Sequence, residues 1–170
     1  MKSAADDELP LVGVTLLYRR GYGRQHLDKN GIQTETYRDL DPAKHLKDTG
    51  VILSLPLDGT ELLARVWKAE IKGVTGHTVP VFFLDTFHPE NSERHLNLGL
   101  TLYGGDDWVR IRQEYLLGVG GVRLLEQMGY DVDGLHLNEG HCTFALLEML
   151  GKGWSREELS LIHISEPTRP

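Results

Sequence analysis

Between residues 136 and 141 the chain reads HLNEGH, which places His136, Asn138, Glu139 and His141 within six positions, just before an apolar run. Side chains of these types can ligate a metal, transfer protons, read the hydroxyl groups of a sugar, or cap a helix. Metal ligation from a helix asks for two histidines four residues apart, because about 100° of rotation per residue returns positions i and i+4 to one face. His136 and His141 are five apart and would diverge by about 140° on a helix. The single cysteine, Cys142, adds no second thiolate. A dinucleotide fingerprint fares no better. GVGGVR (118–123) spaces its glycines wrongly for G-x-G-x-x-G and lies within a helical pattern rather than after a strand. Gly118, Gly120 and Gly121 suit close packing of a helix against its neighbours.

What remains is a strand end opening into a helix start, the position at which open α/β sheets bind ligands. Asn138 suits the N-cap of that helix, Glu139 the positive end of its dipole, and His141 the first turn, facing the crevice. Capping alone accounts for Asn138 and Glu139, so a purely structural reading of the cluster stands beside the ligand-binding one. LYGGDDWVRIRQEY (102–115) repeats the arrangement. Asp106 or Asp107 is a fair N-cap, and the two glycines before them allow a tight turn or close approach of a ligand. Two such junctions in one chain predict a shared pocket.

The elements that must position these residues follow from apolar spacing. LVGVTLLYR (11–19), rich in valine and leucine, reads as a buried strand inside a sheet. GYGRQHLDKNGIQTETY (21–37) reads as an exposed loop or hairpin turning at Asn30-Gly31. LLARVWKAEIKG (62–73) alternates, and a turn at Gly73–Gly76 leads into HTVPVFFLDT (77–86), which predicts an antiparallel pair. From Trp108 the period changes. Trp108, Ile111, Tyr115, Val119, Val122 and Leu125 step by three and four, predicting one helical stripe through about residue 128, with Gly129 as C-terminal cap. GLHL (134–137) is expected to be a short strand before a second helix closed by Gly151. Strand, helix, strand, helix makes the class α/β with a mostly parallel sheet and an added antiparallel hairpin. The stretch from Asp39 to Asp58 carries no readable role.

With 170 residues, 40% of them hydrophobic and 25% charged, the chain can bury one ordinary core, as a single domain or as part of a larger one. A formal net charge of −7 leaves no basic surplus for a nucleic-acid backbone or an anionic membrane surface. The N-terminus is acidic within its first residues and lacks an apolar signal core, and no run approaches the roughly 18 apolar residues of a membrane span. Cytoplasm is the default compartment. Toward the other end, Ser155 and Glu158 form a capping-box signal for a helix that LIHISEPTRP stops at Pro167. Residues 161–170 resemble a translated sequencing adapter and are read as a non-native tail, with a frayed native terminus as the alternative.

Four stretches carry a family resemblance: KSAADDELPLVGVTLLYRRGYGRQHLDKNGIQTETY (2–37), VPVFFLDTFHPEN (79–91), LTLYGGDDWVRIRQEYLLGVGGVRLLEQMGY (100–130) and HLNEGHCTFALLE (136–148). In these the chain resembles the α-glucan phosphorylases, the glycogen and maltodextrin phosphorylase family, and most closely their shorter bacterial and archaeal branch. The resemblance implies a two-domain architecture of the GT-B glycosyltransferase type, with residues 1–160 as part of its Rossmann-like N-terminal domain and Met1 as an internal methionine or cut start. It further implies retaining phosphorolysis of terminal α-1,4-glucosyl units by inorganic phosphate, giving α-D-glucose 1-phosphate, in a parent that uses pyridoxal 5′-phosphate. The cofactor's lysine and the phosphate-gripping cations would lie outside this chain, so the chain alone is expected to bind no cofactor and turn over no glucan.

The histidine of the family's N-[DE]-x-H motif falls on His141, which would line the glucosyl pocket, with Asn138 fixing the turn. The family's active-site gate falls at Asp106 and Asp107. LYGGD and HCTFA depart from the long branch's YPND and from its proline after the histidine. The expected partners are an α-1,4-glucan or maltooligosaccharide and inorganic phosphate, and the parent would be a homo-oligomer. Two alternatives stand beside this: a non-catalytic carbohydrate-binding module on the same fold, and a nucleotide-sugar transferase of the glucan synthase kind, whose glycine-rich donor loop is not seen.

Overall fold

The computed structural model describes residues 1–102, 105–138 and 140–154. After a short helix α1 (Lys2–Asp6) come strands β1 (Gly13–Leu16), β2 (Arg24–Leu27), β3 (Gln33–Thr36), β4 (Lys47–Leu57), β5 (Thr60–Lys72) and β6 (Thr78–Asp85). Helices α2 (Glu93–Asn97), α3 (Asp107–Gln127) and α4 (Thr143–Gly151) follow; one 3-10 turn, Pro42–Lys44, precedes β4 and another, Gly140–Cys142, leads into α4. The capping-box segment from Ser155 and the tail at 161–170 lie outside the described residues, as do Tyr103, Gly104 and Glu139.

The main sheet has the order β1-β6-β5-β4 and is mixed. β1 pairs parallel to β6 in the register Gly13 to Val81 through Leu16 to Leu84, whereas β6–β5 and β5–β4 are antiparallel. The expectation of a mostly parallel sheet is therefore corrected: among the described residues one of the main sheet's three pairings is parallel. Connection length decides this, because parallel neighbours need a crossover and short turns force antiparallel ones. β4 and β5 are joined by Asp58 and Gly59 alone, both at positive φ (53° and 77°), the backbone of a two-residue hairpin turn. β5 and β6 are joined by the short Gly73–His77 turn, where the Gly73 amide donates to the His77 carbonyl at 2.8 Å. Residues 39–58, silent in the sequence, thus supply a whole strand. β1 lies at one edge of the sheet among the described residues rather than inside it, and Pro56 sits on the opposite edge strand, β4, where a missing N–H costs little.

The hairpin predicted at 21–37 forms as β2–β3, all eight strand residues exposed. Its turn is tied by the Asp28 carboxylate, which accepts from the amides of Asn30 and Ile32, both at 2.8 Å, while Gly31 takes φ +78°.

The core lies between one face of the main sheet and α3. Leu62, Ala64 and Val66 of β5, Leu53 and Leu55 of β4, and Phe82 and Leu84 of β6 meet Leu116, Val119 and Leu124 of the helix, all 5% exposed or less. Burying a leucine of this kind contributes about 1.5–3 kcal/mol. The glycines at 118–121 act as the sequence suggested. A Cβ on Gly118 would come within 2.5 Å of the Ala145 amide nitrogen on α4, and one on Gly120 within 3.1 Å of Leu55. Gly129 follows the helix at φ +77°. The helical stripe needs one correction: Trp108 (67% exposed) and Ile111 (46%) stand outside the core, because the first turns of α3 run past its apolar partners. A second concerns 134–137, which is irregular rather than a strand. A strand needs a neighbour to take its backbone hydrogen bonds, and among the described residues none lies beside it.

Candidate functional site

Asp106 occupies the N-cap of α3, its carboxylate accepting from the Val109 amide at 3.0 Å, as the sequence predicted for Asp106 or Asp107. Gly105 before it takes φ +95°, and a Cβ there would come within 2.7 Å of Val109, so the two-glycine step is a tight turn at its second position. Asp107 sits in the first turn, exposed and at the favourable end of the helix dipole.

The entry to α4 is built differently. Cys142, not Asn138, holds its N-cap position and makes no capping bond; instead the Thr143 hydroxyl donates to the Gly140 carbonyl at 2.7 Å. Asn138 and His136 are exposed and precede the 3-10 turn. Asn138 is thus corrected from a cap of α4 to an exposed residue ahead of the 3-10 turn. Its backbone hydrogen bond to the Cys142 thiol partly offsets burial, which pushes that thiol above its ordinary pKa. His141 lies within the 3-10 turn with its side chain one-third exposed and Nδ1 3.5 Å from Oε1 of Glu114 on α3. Glu114 also pairs with Arg110 at 3.4 Å. Across the same helix pair Arg123 holds Glu148 at 2.7 Å, and the contact with the guanidinium keeps that carboxyl below its usual range.

The cleft at the first junction is not lined by His141 or Asn138. Asp106 borders this cleft of about 470 Å³ between α2 and the start of α3, with Arg94, Asn97, Trp108 and Arg112. Arg112 donates to Asp58 at 2.5 Å and lies 5.7 Å from the Trp108 ring centroid. The hydrogen bond from Arg112 holds the Asp58 carboxyl low and raises the arginine in turn. Arg112 and Glu114 are two residues apart, hence about 160° apart around α3, so the helix separates this cleft from His141. Sequence reasoning missed the cleft because it assigned Trp108 to the core and gave Arg94 and Asn97 no role. The available signal was Ser92 before Glu93, a helix start: the Ser92 hydroxyl accepts from the His95 amide at 3.3 Å.

A third polar group is buried at the C-terminal end of β6. Asp85, fully buried, accepts from Arg19 at 2.6 Å, from the Trp67 indole at 2.9 Å and from the Phe87 amide at 3.0 Å, while the Arg19 guanidinium stacks 4.6 Å from the Phe87 ring. Nearby Asn91 closes the loop after β6, its amide donating to the carbonyls of Leu63 and Thr86, each at 2.7 Å. These residues are held by their own neighbours, the pattern of a structural clamp. Among the described residues no three histidine, cysteine or acidic side chains converge as a metal site, and no helix is long and apolar enough to cross a membrane. Nor is there a lysine suited to an aldehyde cofactor: six are exposed, and the half-buried Lys68 is paired with Glu70 at 2.7 Å. A Schiff-base lysine needs a desolvated, enclosed setting, which none of these lysines has.

Comparison with known proteins defines the class. No family model matches the chain. It is 34% identical over 165 residues to the maltodextrin phosphorylase of Thermococcus litoralis, a match covering 93% of this chain and 19% of that protein. It is 39% identical over 163 residues to the glycogen phosphorylase of Mycobacterium tuberculosis (88% of this chain, 18% of the relative) and 30% identical over 187 to that of Aquifex aeolicus (99% and 26%). The chain is homologous to one segment of the glycogen and maltodextrin phosphorylases, and spans about a fifth to a quarter of the length of these relatives.

Proposed function

We propose that this chain is a segment of an α-1,4-glucan phosphorylase of the GT-B architecture, a cytoplasmic enzyme that uses inorganic phosphate to release α-D-glucose 1-phosphate from the ends of glycogen or maltodextrin. The observation that carries the reading is identity of 30–39% to glycogen and maltodextrin phosphorylases along 88–99% of the chain. In this reading residues 1–160 belong to the N-terminal domain, and 161–170 are foreign to it. His141 and Asn138 contribute to the glucosyl pocket, with Asp107 at its margin. Asp106 acts chiefly by fixing the entry of α3, since its carboxylate is already engaged by the Val109 amide.

The chemistry of these side chains suits the role. Neutral hydroxyl groups are best read by hydrogen-bonding groups on rigid element ends, and His141 is held between a tight turn and Glu114. Pyridoxal phosphate, where the parent binds it, supplies a phosphate group that assists the attacking phosphate; none of this chain's lysines is placed to hold it. The substrates and any oligomeric assembly belong to the parent protein.

A chimera tests the reading. With this segment replacing its counterpart in the Mycobacterium tuberculosis enzyme, the folded chimera should form glucose 1-phosphate from maltooligosaccharide and phosphate, and His141→Ala should lower turnover on the order of 100-fold. A folded, cofactor-loaded chimera without turnover overturns the assignment, and undiminished turnover in the histidine variant overturns the pocket role. The 170-residue chain by itself should form none.

A further inference from the structure

The geometry points to a second carbohydrate contact on this chain: the cleft between α2 and the start of α3 takes a short stretch of α-1,4-glucan, stacked on Trp108. This rests on the phosphorylase reading for the class of ligand, but the side chains that would hold the sugar, Trp108, Arg94 and Asn97, are ones which that reading does not use.

Trp108 is two-thirds exposed in the first turn of α3, ahead of the part of the helix that packs on the sheet. Its indole is steadied by the guanidinium of Arg112, which Asp58 fixes in turn at 2.5 Å. An exposed, oriented aromatic surface binds the C–H face of a pyranose ring, while a rim of amide and guanidinium groups reads its hydroxyls. Asn97 and Arg94, both exposed on α2, provide that rim, while the Asp106 carboxylate on the opposite side is engaged by the Val109 amide. The volume of about 470 Å³ falls within the range of small-molecule sites, about 300–1,000 Å³.

Charge decides between a sugar and an anion. Two arginines border the cleft, but Asp58 neutralises Arg112 directly and the Asp106 carboxylate faces the same space as Arg94. The local sum is zero, so a phosphate or carboxylate gains little here, whereas an uncharged polyol loses nothing. Because α3 stands between the cleft and His141, a glucan held at the cleft occupies a different site from a terminal glucosyl unit at His141.

The test titrates the purified 170-residue chain with maltoheptaose and, separately, with inorganic phosphate, following tryptophan fluorescence and heat of binding. Trp67 is buried (6% exposed) and Trp154 half-buried, so the part of the emission change that is lost in Trp108→Ala is the part that reports on Trp108. Maltoheptaose should bind, Trp108→Ala should weaken it on the order of tenfold or more, and Arg94→Ala should weaken it by a smaller factor. Val74→Ala, in the exposed β5–β6 turn, should leave the affinity unchanged. As Trp108 is mostly exposed, its removal should leave the circular dichroism and urea midpoint nearly as in the parent chain. Absence of maltoheptaose binding, equal binding by a folded Trp108→Ala chain, or loss of binding only in His141→Ala each overturns the proposal. A response to inorganic phosphate that Arg94→Ala removes overturns it in favour of an anion site. The phosphorylase reading stands or falls on turnover by the chimera, so the two failures are distinguishable.

Discussion

The two helix entries that looked equivalent as sequence are built on different principles. At α3 the polar residue is consumed by its own backbone: Asp106 accepts from Val109 at 3.0 Å, behind a glycine at φ +95°. At α4 the N-cap position belongs to Cys142, with no side-chain bond, and Asn138 and His141 stand apart from the helix they precede. An engaged carboxylate contributes to stability and has little left for a ligand. The difference separates Asp106, whose carboxylate is engaged within its own helix, from His141, whose ring lies against Glu114 of the neighbouring helix.

Substitutions break or sharpen that contrast to different degrees. Gly118→Ala should act most strongly, by about 1–3 kcal/mol, because its Cβ would lie 2.5 Å from a backbone nitrogen of α4 and must push that helix away, carrying His141 off Glu114. Urea denaturation reads the loss, and retention of wild-type stability would show that the two helices are not clamped there. Asp106→Ala should cost about 1 kcal/mol by the same measurement, with Asp106→Asn largely restoring it.

On the cleft side, pH adds a further probe. His95 is 2% exposed, and desolvation lowers its pKa below the ordinary value, against the pull of the Asp58 carboxylate. In the unfolded chain the imidazole takes up a proton below about pH 6.5 while the folded form resists it. Stability from this group is therefore present above pH 6.5 and lost as the pH falls through that region. Denaturation midpoints at pH 7.5 and 5.5 should differ more for the parent chain than for His95→Gln, and identical pH dependence would remove His95 as the cause. Asn138→Ala should have the smallest effect, within about 0.5 kcal/mol, since the side chain is exposed and caps nothing at α4. A loss comparable to that of Asp106→Ala would erase the distinction between the entries.

Much of the local structure was legible. The β2–β3 hairpin, the β5–β6 pair, and α3 with its terminating Gly129 all follow from period and turn residues, which act over a few positions. β4 was legible too, through the alternation of VILSLPL and the Asp58-Gly59 turn, and went unread because its first half is polar and carries a register shift between Asp48 and Ile52. Residues 134–137 show the converse, strand-like letters with no neighbouring strand among the described residues to pair with.

By itself the sequence determined the chemical types in play, the glycines that let α3 approach α4 and the sheet, and the kinship with glucan phosphorylases, because each is written in residue identity or short-range spacing. Only the tertiary structure decided that His141 lies against Glu114 of α3, that Trp108 stands outside the core, and that Arg94 and Asn97 join it at one cleft. Period fixes which face of a helix is apolar. It does not fix where the apolar partner ends, and that boundary turns a core position into a binding surface.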